Sequence, residues 1–388
     1  MNNIGSRLSR RDFLVTAVSA GGAMLLGQTG LNAVGQGVDP GGDPRVAPIV
    51  SRSIGIDMHN HVYPAGTEPR RQQDQLPHEE EQQHIPDLSL AEELKRSGLT
   101  AVCASFVMDF GPKGKPGDAR DTFQRWLTAI DRQLEKGHMH RALNLKDIEA
   151  AHDHRQPTIV QAVEGAMFIE GQLDRVQEVY KRGLRHLQLL HERDDLVSPL
   201  GDVDTAPARL GGLTAFGAEV VKECNRLGIV VDLAHASPET VLGALKVSVQ
   251  PIIVSHTSLD GRKSGNPRMA EMMKPLLISK EHAKVVTDAG GVIGVWTHLA
   301  DSLGDFVESI KTMVDAVGVD HVGIGTDTNL LSSRVGQGTN KVYPTLTGGL
   351  FGAVVGEMLL QGFTSDDIGK VGGGNYSRVF DKVTAGRG

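Results

Sequence analysis

Two imidazoles one residue apart close a short apolar run: residues 54–64 read IGIDMHNHVYP, with His59 and His61 separated by Asn60. Residues i and i+2 of a strand project to the same side, so both rings can face one point. Neutral imidazoles presented in that way are good zinc ligands. The placement recurs along the chain, because Glu164, His191, His235, His256 and Asp327 each follow a short apolar run. Four imidazoles and one or two carboxylates can hold two divalent cations, with a carboxylate such as Glu164 bridging them. Such a cation lowers the pKa of a bound water from about 15.7 to about 7, giving a hydroxide nucleophile at neutral pH. Asp327, an acceptor when ionised, can take the proton from that water and return it to a departing amine. His191, one strand removed from the metal group, is placed to donate to a developing oxyanion.

An H-x-H pair alone means little, since the chain has three. His138/His140 follows a helical segment, and His152/His154 lies in a polar helical stretch. Neither stands at a strand end, and both read as solvated surface. A single interior histidine is ordinarily a packed core residue. Five histidines at strand ends are not explained that way.

The elements that must position these residues follow from periodicity. Strand candidates are 54–58, 99–107, 158–163, 185–190, 229–234, 251–255, 291–296 and 321–326. Helical patterns lie near 87–97, 118–136, 172–182, 213–228, 238–247, 279–289, 303–317 and 346–361, with short helices to about 380. In the fourth of these, Leu213, Phe216, Val220, Cys224 and Leu227 recur at helical spacing, and Gly228 stands where a C′ residue belongs. Eight strands alternating with helices predict an α/β fold of the (β/α)8 TIM-type barrel class, with function at the strands' C-terminal ends. A doubly wound open sheet is the alternative. It would want a Gly-rich phosphate loop after an early strand, and neither GPKGKPG at 111–117 nor VGGGN at 371–375 is so placed.

At a net charge of −7 the chain offers no basic surface for nucleic acid. Two cysteines, Cys103 and Cys224, exclude a disulfide framework and a Cys-rich zinc site, and both read as buried small hydrophobes. Residues 1–35 carry paired arginines, Arg10-Arg11, before Phe13-Leu14 and a weakly apolar run rich in Gly and Ala. That run is too short to span a membrane permanently. It resembles a twin-arginine export signal, with 33–35 as a cleavage site, the twin-arginine machinery as partner and a periplasmic or cell-surface destination. Its loss removes three Arg and one Asp and leaves a charge of −9. Residues 36–52 read as a linker and 53–388 as the barrel.

From residue 54 to about 380 the chain resembles the membrane (renal-type) dipeptidases of the amidohydrolase superfamily. IDMHNHVYP is similar to that family's D-x-H-N-D-x-P opening, and AVEGAMF around Glu164 to its VEGG segment. LTAFGAEVVKECNRLGIVVDLAHAS, ending near His235, PIIVSHTS with His256, and DHVGIGTDTNL with Asp327 resemble further family segments. The resemblance implies two divalent ions, zinc above all, held by His59, His61, His235 and His256 with Glu164 bridging. It implies His191 polarising the scissile carbonyl, Asp327 shuttling the proton, and an Arg holding the substrate's carboxylate. Arg268 is the candidate for that Arg, with Arg262 behind it. The substrate is then a dipeptide, and a homodimer is compatible with the sequence.

Two departures stand out. The family's H-x-D is H-x-H here, so His61 replaces a carboxylate ligand and removes one negative charge. The family's D-F-D-G becomes Asp327-Thr-Asn-Leu330. The insertion around 274–277 and the polar loop 65–86 border the same mouth, and Trp296 and His298 either line the pocket or pack. The expected function is metal-dependent hydrolysis of a dipeptide amide. The alternatives are an amide, ester or lactone without a free α-carboxylate, and an exported metal-binding protein without turnover.

Overall fold

The computed structural model describes residues 42–62, 89–108, 115–192, 198–262, 265–328 and 349–386. The signal segment 1–35 and the loop 65–86 lie outside the described residues. Eight parallel strands close into a barrel in the order β1 to β8. They are β1 (Ile56–Asn60), β2 (Ala101–Ala104), β3 (Thr158–Glu164), β4 (Leu184–Gln188), β5 (Val230–Asp232), β6 (Ile253–Thr257), β7 (Val292–Val295) and β8 (Val322–Ile324). Every strand residue is buried, as expected of strands covered by helices outside and packed side chains within.

The helices obey local capping chemistry. Helix Leu90–Ser97 begins with a reciprocal Ser89–Glu92 capping box and ends on left-handed Gly98. Helix Ala215–Leu227 starts on the Thr214 hydroxyl and stops at Gly228, φ 88°, as its sequence demands. Helix Pro238–Val247 combines a Ser237 cap with proline in its first turn. One expectation is corrected: part of the segment read as linker is the helix Val46–Arg52, which buries Val46 and Ile49. It packs against the apolar helix Gly349–Leu360.

Two apolar layers hold the barrel. The inner one joins Ile56, Met58, Cys103, Val160, Val230 and Val292 to Tyr376 and Phe380. The C-terminal helix Asn375–Thr384 thus covers the floor, leaving the opposite rim for chemistry. Cys103 and Cys224 are buried and unpaired, as their sequence context implied. No helix among the described residues is long and apolar enough to cross a membrane.

Candidate metal centre

The strand-end residues meet at one rim, by two local routes. His59, Glu164 and His256 are the penultimate or last residues of their strands, β1, β3 and β6. The first and last of these strands carry register shifts, between Asp57 and Asn60 and between Val254 and Thr257. A bulge re-aims the side chains beside it. His191, His235 and Asp327 instead lie three residues past β4, β5 and β8. His235 and Asp327 take the left-handed backbone, φ 66° and 54°. For a non-glycine residue that costs about 1–3 kcal/mol, a strain the surrounding structure has to hold in place.

Two buried carboxylates lock these turns. Asp57 accepts from the Thr326 amide at 2.9 Å, the Thr326 hydroxyl, Asn60 Nδ2 at 3.0 Å and the His59 amide at 3.2 Å. It ties the end of β1 to the residue before Asp327. Burial still raises the Asp57 pKa, the four donors pulling the other way. Asp232 Oδ1 accepts from the Ala234 and Ser255 amides at 3.0 and 2.9 Å, and Oδ2 meets His186 Nε2 at 3.0 Å. This carboxylate fixes the approaches to both His235 and His256. Space for β6 comes from Gly294 and Gly325, where a Cβ would collide with the Ser255 carbonyl.

Glu164 sits at the centre. Its Oε2 lies 3.4 Å from His59 Nε2 and 3.7 Å from His61 Nε2. Its Oε1 lies 3.4, 3.6 and 3.5 Å from the Nε2 atoms of His235, His256 and His191. The two oxygens thus face two groups of imidazoles. His59, His61 and Glu164 offer one set of donor atoms within 4.8 Å of one another, and Glu164, His235 and His256 offer another. A third set, His59, His256 and Asp327, overlaps both. His191 is closer to this group than its strand position suggested, its ring 4.7 Å from that of His235.

Electrostatics follow from this crowding. Burial alone would depress His59, but the negative charges of Glu164, Asp327 and Asp232 win and push its pKa up to about 9. His256 is held well below the usual imidazole range by burial and by the neighbouring His59. Burial would raise Glu164 and Asp327, yet His191 and His59 around the first, and His298 and His256 around the second, hold both carboxyls well below the usual range.

A divalent cation suits the donors. His59 Nε2 and Glu164 Oε2 are buried and make no hydrogen bond among the described residues. His235 Nε2 and His256 Nε2 stand 2.9 Å apart, a hydrogen bond only if one ring carries the proton and the other does not. Two far nitrogens are occupied: His256 Nδ1 meets the Ser255 hydroxyl at 2.9 Å, and His59 Nδ1 lies between Ser255 and Ser105 at 3.4 and 3.5 Å; His235 Nδ1 is buried without a partner among the described residues. Support on the far ring atom is the usual arrangement of an imidazole whose near nitrogen binds metal.

Asp327 spans the rim's open side, with Oδ1 2.8 Å from His61 Nε2 and Oδ2 2.7 Å from His298 Nε2. His298 is therefore part of the site, which settles the choice between pocket and packing in its sequence reading. Trp296 is buried and packs beside it. Its ring lies 4.8 Å from that of His298 and 6.1 Å from that of His256, and it packs under Met269, Met272, Leu276 and Leu277. The insertion at 274–277 does border the mouth, and the Thr257 hydroxyl anchors it through the Leu276 carbonyl at 2.8 Å.

Other candidates lie apart. Arg268 is exposed in the first turn of helix Pro267–Met273, and its side chain makes no hydrogen bond or ion pair among the described residues. Arg262 is committed elsewhere, to the Asp305 carbonyl at 2.9 Å and Glu308 at 3.2 Å. His138, His140 and His154 are exposed and His152 is half-buried, away from the cluster. Sequence reasoning missed Asp204. Burial raises its pKa to about 6, against the pull of His235 and His191. It also missed Asp232, whose signal was a lone acid inside the apolar run IVVDLA.

A closed (β/α)8 barrel with a carboxylate set between two groups of imidazoles at its C-terminal rim defines the class: barrels with a candidate metal centre at the strand ends. A model of the family described as membrane dipeptidase (Peptidase family M19) matches residues 44–387, and the chain belongs to that family. It is 25% identical over 303 residues to dipeptidase tcpJ of Claviceps purpurea, a match that covers 72% of this chain and 64% of that relative. The chain thus spans under two thirds of that relative's length. Its fold is similar to the probable dipeptidase PvdM of Pseudomonas aeruginosa, with a TM-score of 0.70 at 17% identity over 88% of this chain and 98% of that one. It is likewise similar to an amidohydrolase of Pseudomonas aeruginosa, with a TM-score of 0.69 at 23% identity over 87% and 98%.

Proposed function

We propose that the protein is a metal-dependent hydrolase that cleaves the amide bond of dipeptides. The observation that carries this reading is the position of Glu164, one oxygen toward His59 and His61 and the other toward His235 and His256. The donor set of nitrogens and carboxylate oxygens suits zinc, and two sets sharing Glu164 suit two ions. Bound there, divalent cations would supply Lewis acidity, polarising a carbonyl and making water acidic near neutral pH.

The chain's own groups carry the rest. Asp327, held ionised by His298 and His61, accepts the proton of the attacking water and hands it to the departing amine. His191, beside Glu164, donates to the oxyanion that forms on the scissile carbonyl. Arg268 takes the substrate's carboxylate; its guanidinium is unpaired among the described residues, and its helix packs on Trp296 at the mouth. His61, where relatives of this type carry an acid, lowers the negative charge at the site and strengthens its Lewis acidity. We place the enzyme outside the cytoplasm, delivered by the twin-arginine-type signal of residues 1–35, which lie outside the described structure.

Metal analysis of the purified protein together with a screen of L,L- and L,D-dipeptides tests this reading. Bound zinc and turnover of dipeptides are expected; a metal-free protein inert on every dipeptide would overturn it. The exposure of Arg268 favours one second reading, an amide or ester substrate without a carboxylate. In that case dipeptide C-terminal amides are cleaved as fast as the free acids.

A further inference from the structure

A cavity of about 280 Å³ opens beside the metal centre, on the β5–β6 side. It lies at the lower edge of the roughly 300–1,000 Å³ typical of small-molecule sites, room enough for an amino-acid residue. His235 and His256 form its inner wall; Val241, Val254, Leu276 and Ile278 supply an apolar side, and Glu239, Thr257 and His282 a polar one. Two acids line it, Asp204 on the β4–β5 loop and Glu239 in the first turn of helix Pro238–Val247; Asp204 is the one beside His235. Its Oδ1 is buried and has no hydrogen-bond partner among the described residues.

The loop that carries Asp204 is fixed rather than loose. Asp202 folds it by accepting from the Arg209, Leu210 and Gly212 amides at 2.7, 2.9 and 2.8 Å. The Asp202 carbonyl is bound in turn by the Ser237 amide at 2.9 Å and the Thr240 hydroxyl at 2.8 Å. The Asp204 amide donates to the His235 carbonyl at 3.0 Å. A carboxylate presented on so constrained a loop, with an oxygen left without a donor, is set up to receive a cationic group from outside the chain.

Position in the barrel selects which group. Asp327, the proton carrier to the departing amine, follows β8 and touches His61, which follows β1. In an eight-stranded barrel of this order β5 stands across from β1, and β4 across from β8. A substrate whose leaving amine lies at Asp327 therefore extends its acyl residue toward β4 and β5. We propose that this cavity is the acyl-residue subsite: Asp204 binds the free α-ammonium of the substrate's first residue, and the apolar walls take that residue's aliphatic side chain. The assignment rests on the hydrolytic reading above and narrows it to substrates with an unblocked amine and an aliphatic first residue.

The test is binding to the metal-loaded protein of Leu-Ala in which the scissile CO–NH is replaced by CO–CH2, and of its N-acetyl derivative, by calorimetry. The wild type should prefer the free amine by at least about tenfold, the scale of one hydrogen bond to a charged group. Asp204→Asn should cut that preference to about threefold or less, with metal content and affinity for the N-acetyl compound unchanged. The same preference in the variant, or none in the wild type, overturns the subsite. Ala206→Phe, on the cavity wall, supplies a check that does not depend on the Asp204 variant folding. It should weaken the Leu-first analogue about tenfold or more while a Gly-first analogue stays within about threefold; equal effects on both overturn the proposal. A wild type that selects the free amine yet cleaves no dipeptide removes the dipeptidase reading alone. One that cleaves dipeptides without amine preference removes the subsite alone.

Discussion

Replacing Asp232 should destabilise the protein by an amount that depends on pH in a particular way. The side chain is fully buried. Oδ1 serves two backbone amides, and Oδ2 serves His186. Asn can keep its carbonyl toward the Ala234 and Ser255 amides, so Asp232→Asn forfeits mainly the charge-assisted bond to His186, about 1.5–3 kcal/mol. Ala leaves both amides and the imidazole without an acceptor, and about 3–5 kcal/mol is expected, the cost of breaking a buried pair. Burial raises the Asp232 carboxyl, but the bond to His186, its charge and that of His256 win and hold it far below the unfolded value. A carboxyl depressed on folding contributes its full stability above the unfolded pKa and loses it as pH falls toward the folded one. The gap between wild type and Asp232→Asn should therefore be equal at pH 7 and pH 5 and shrink only below about pH 4. Urea unfolding of the metal-stripped proteins, followed by circular dichroism across that range, measures it. Variants as stable as wild type at pH 7, or a gap that widens on acidification, would refute the reasoning.

Three further outcomes follow from the rim. Asp327→Asn should lower kcat by about 10²–10⁴-fold and leave bound metal nearly unchanged, since both Glu164-centred donor sets survive; full activity removes the proposed proton carrier. His298→Ala frees one oxygen of Asp327 and should lower kcat more than it raises KM, with a shifted pH–rate profile; an unchanged profile means His298 only packs. Gly294→Val drives a side chain into the Ser255 carbonyl and should yield insoluble or severely destabilised protein, read by expression and thermal melting. Wild-type melting would show that β6 has room to yield.

The barrel was legible because its strands are continuous apolar runs buried on both sides, each followed by a helix of clear period. Helices 118–136, 238–247 and 303–317 come out at the expected residues. Strand ends were harder to place. His59, Glu164 and His256 are polar, so pattern reading puts them past the strand, whereas they belong to its last pairs. The convergence of the donors was legible for a topological reason: a parallel barrel brings every strand's C-terminal end to one rim. What escaped was whatever depends on loop shape. Nothing local to SPLGDVDTAPARL says that Asp202 will fold it and leave Asp204 facing a cavity. Nothing local to the sequence says that Arg262 is tied to helix Leu303–Val317 while Arg268 stays exposed.

The central claim is that divalent metal is held around Glu164. Anomalous diffraction from crystals of the purified protein, recorded above and below the zinc edge, tests it most directly. The account predicts strong peaks on either side of the Glu164 carboxylate, one beside His59 and His61 and one beside His235 and His256, both lost in Glu164→Gln. A zinc-supplemented crystal with no peak within coordination distance of Glu164 would contradict it.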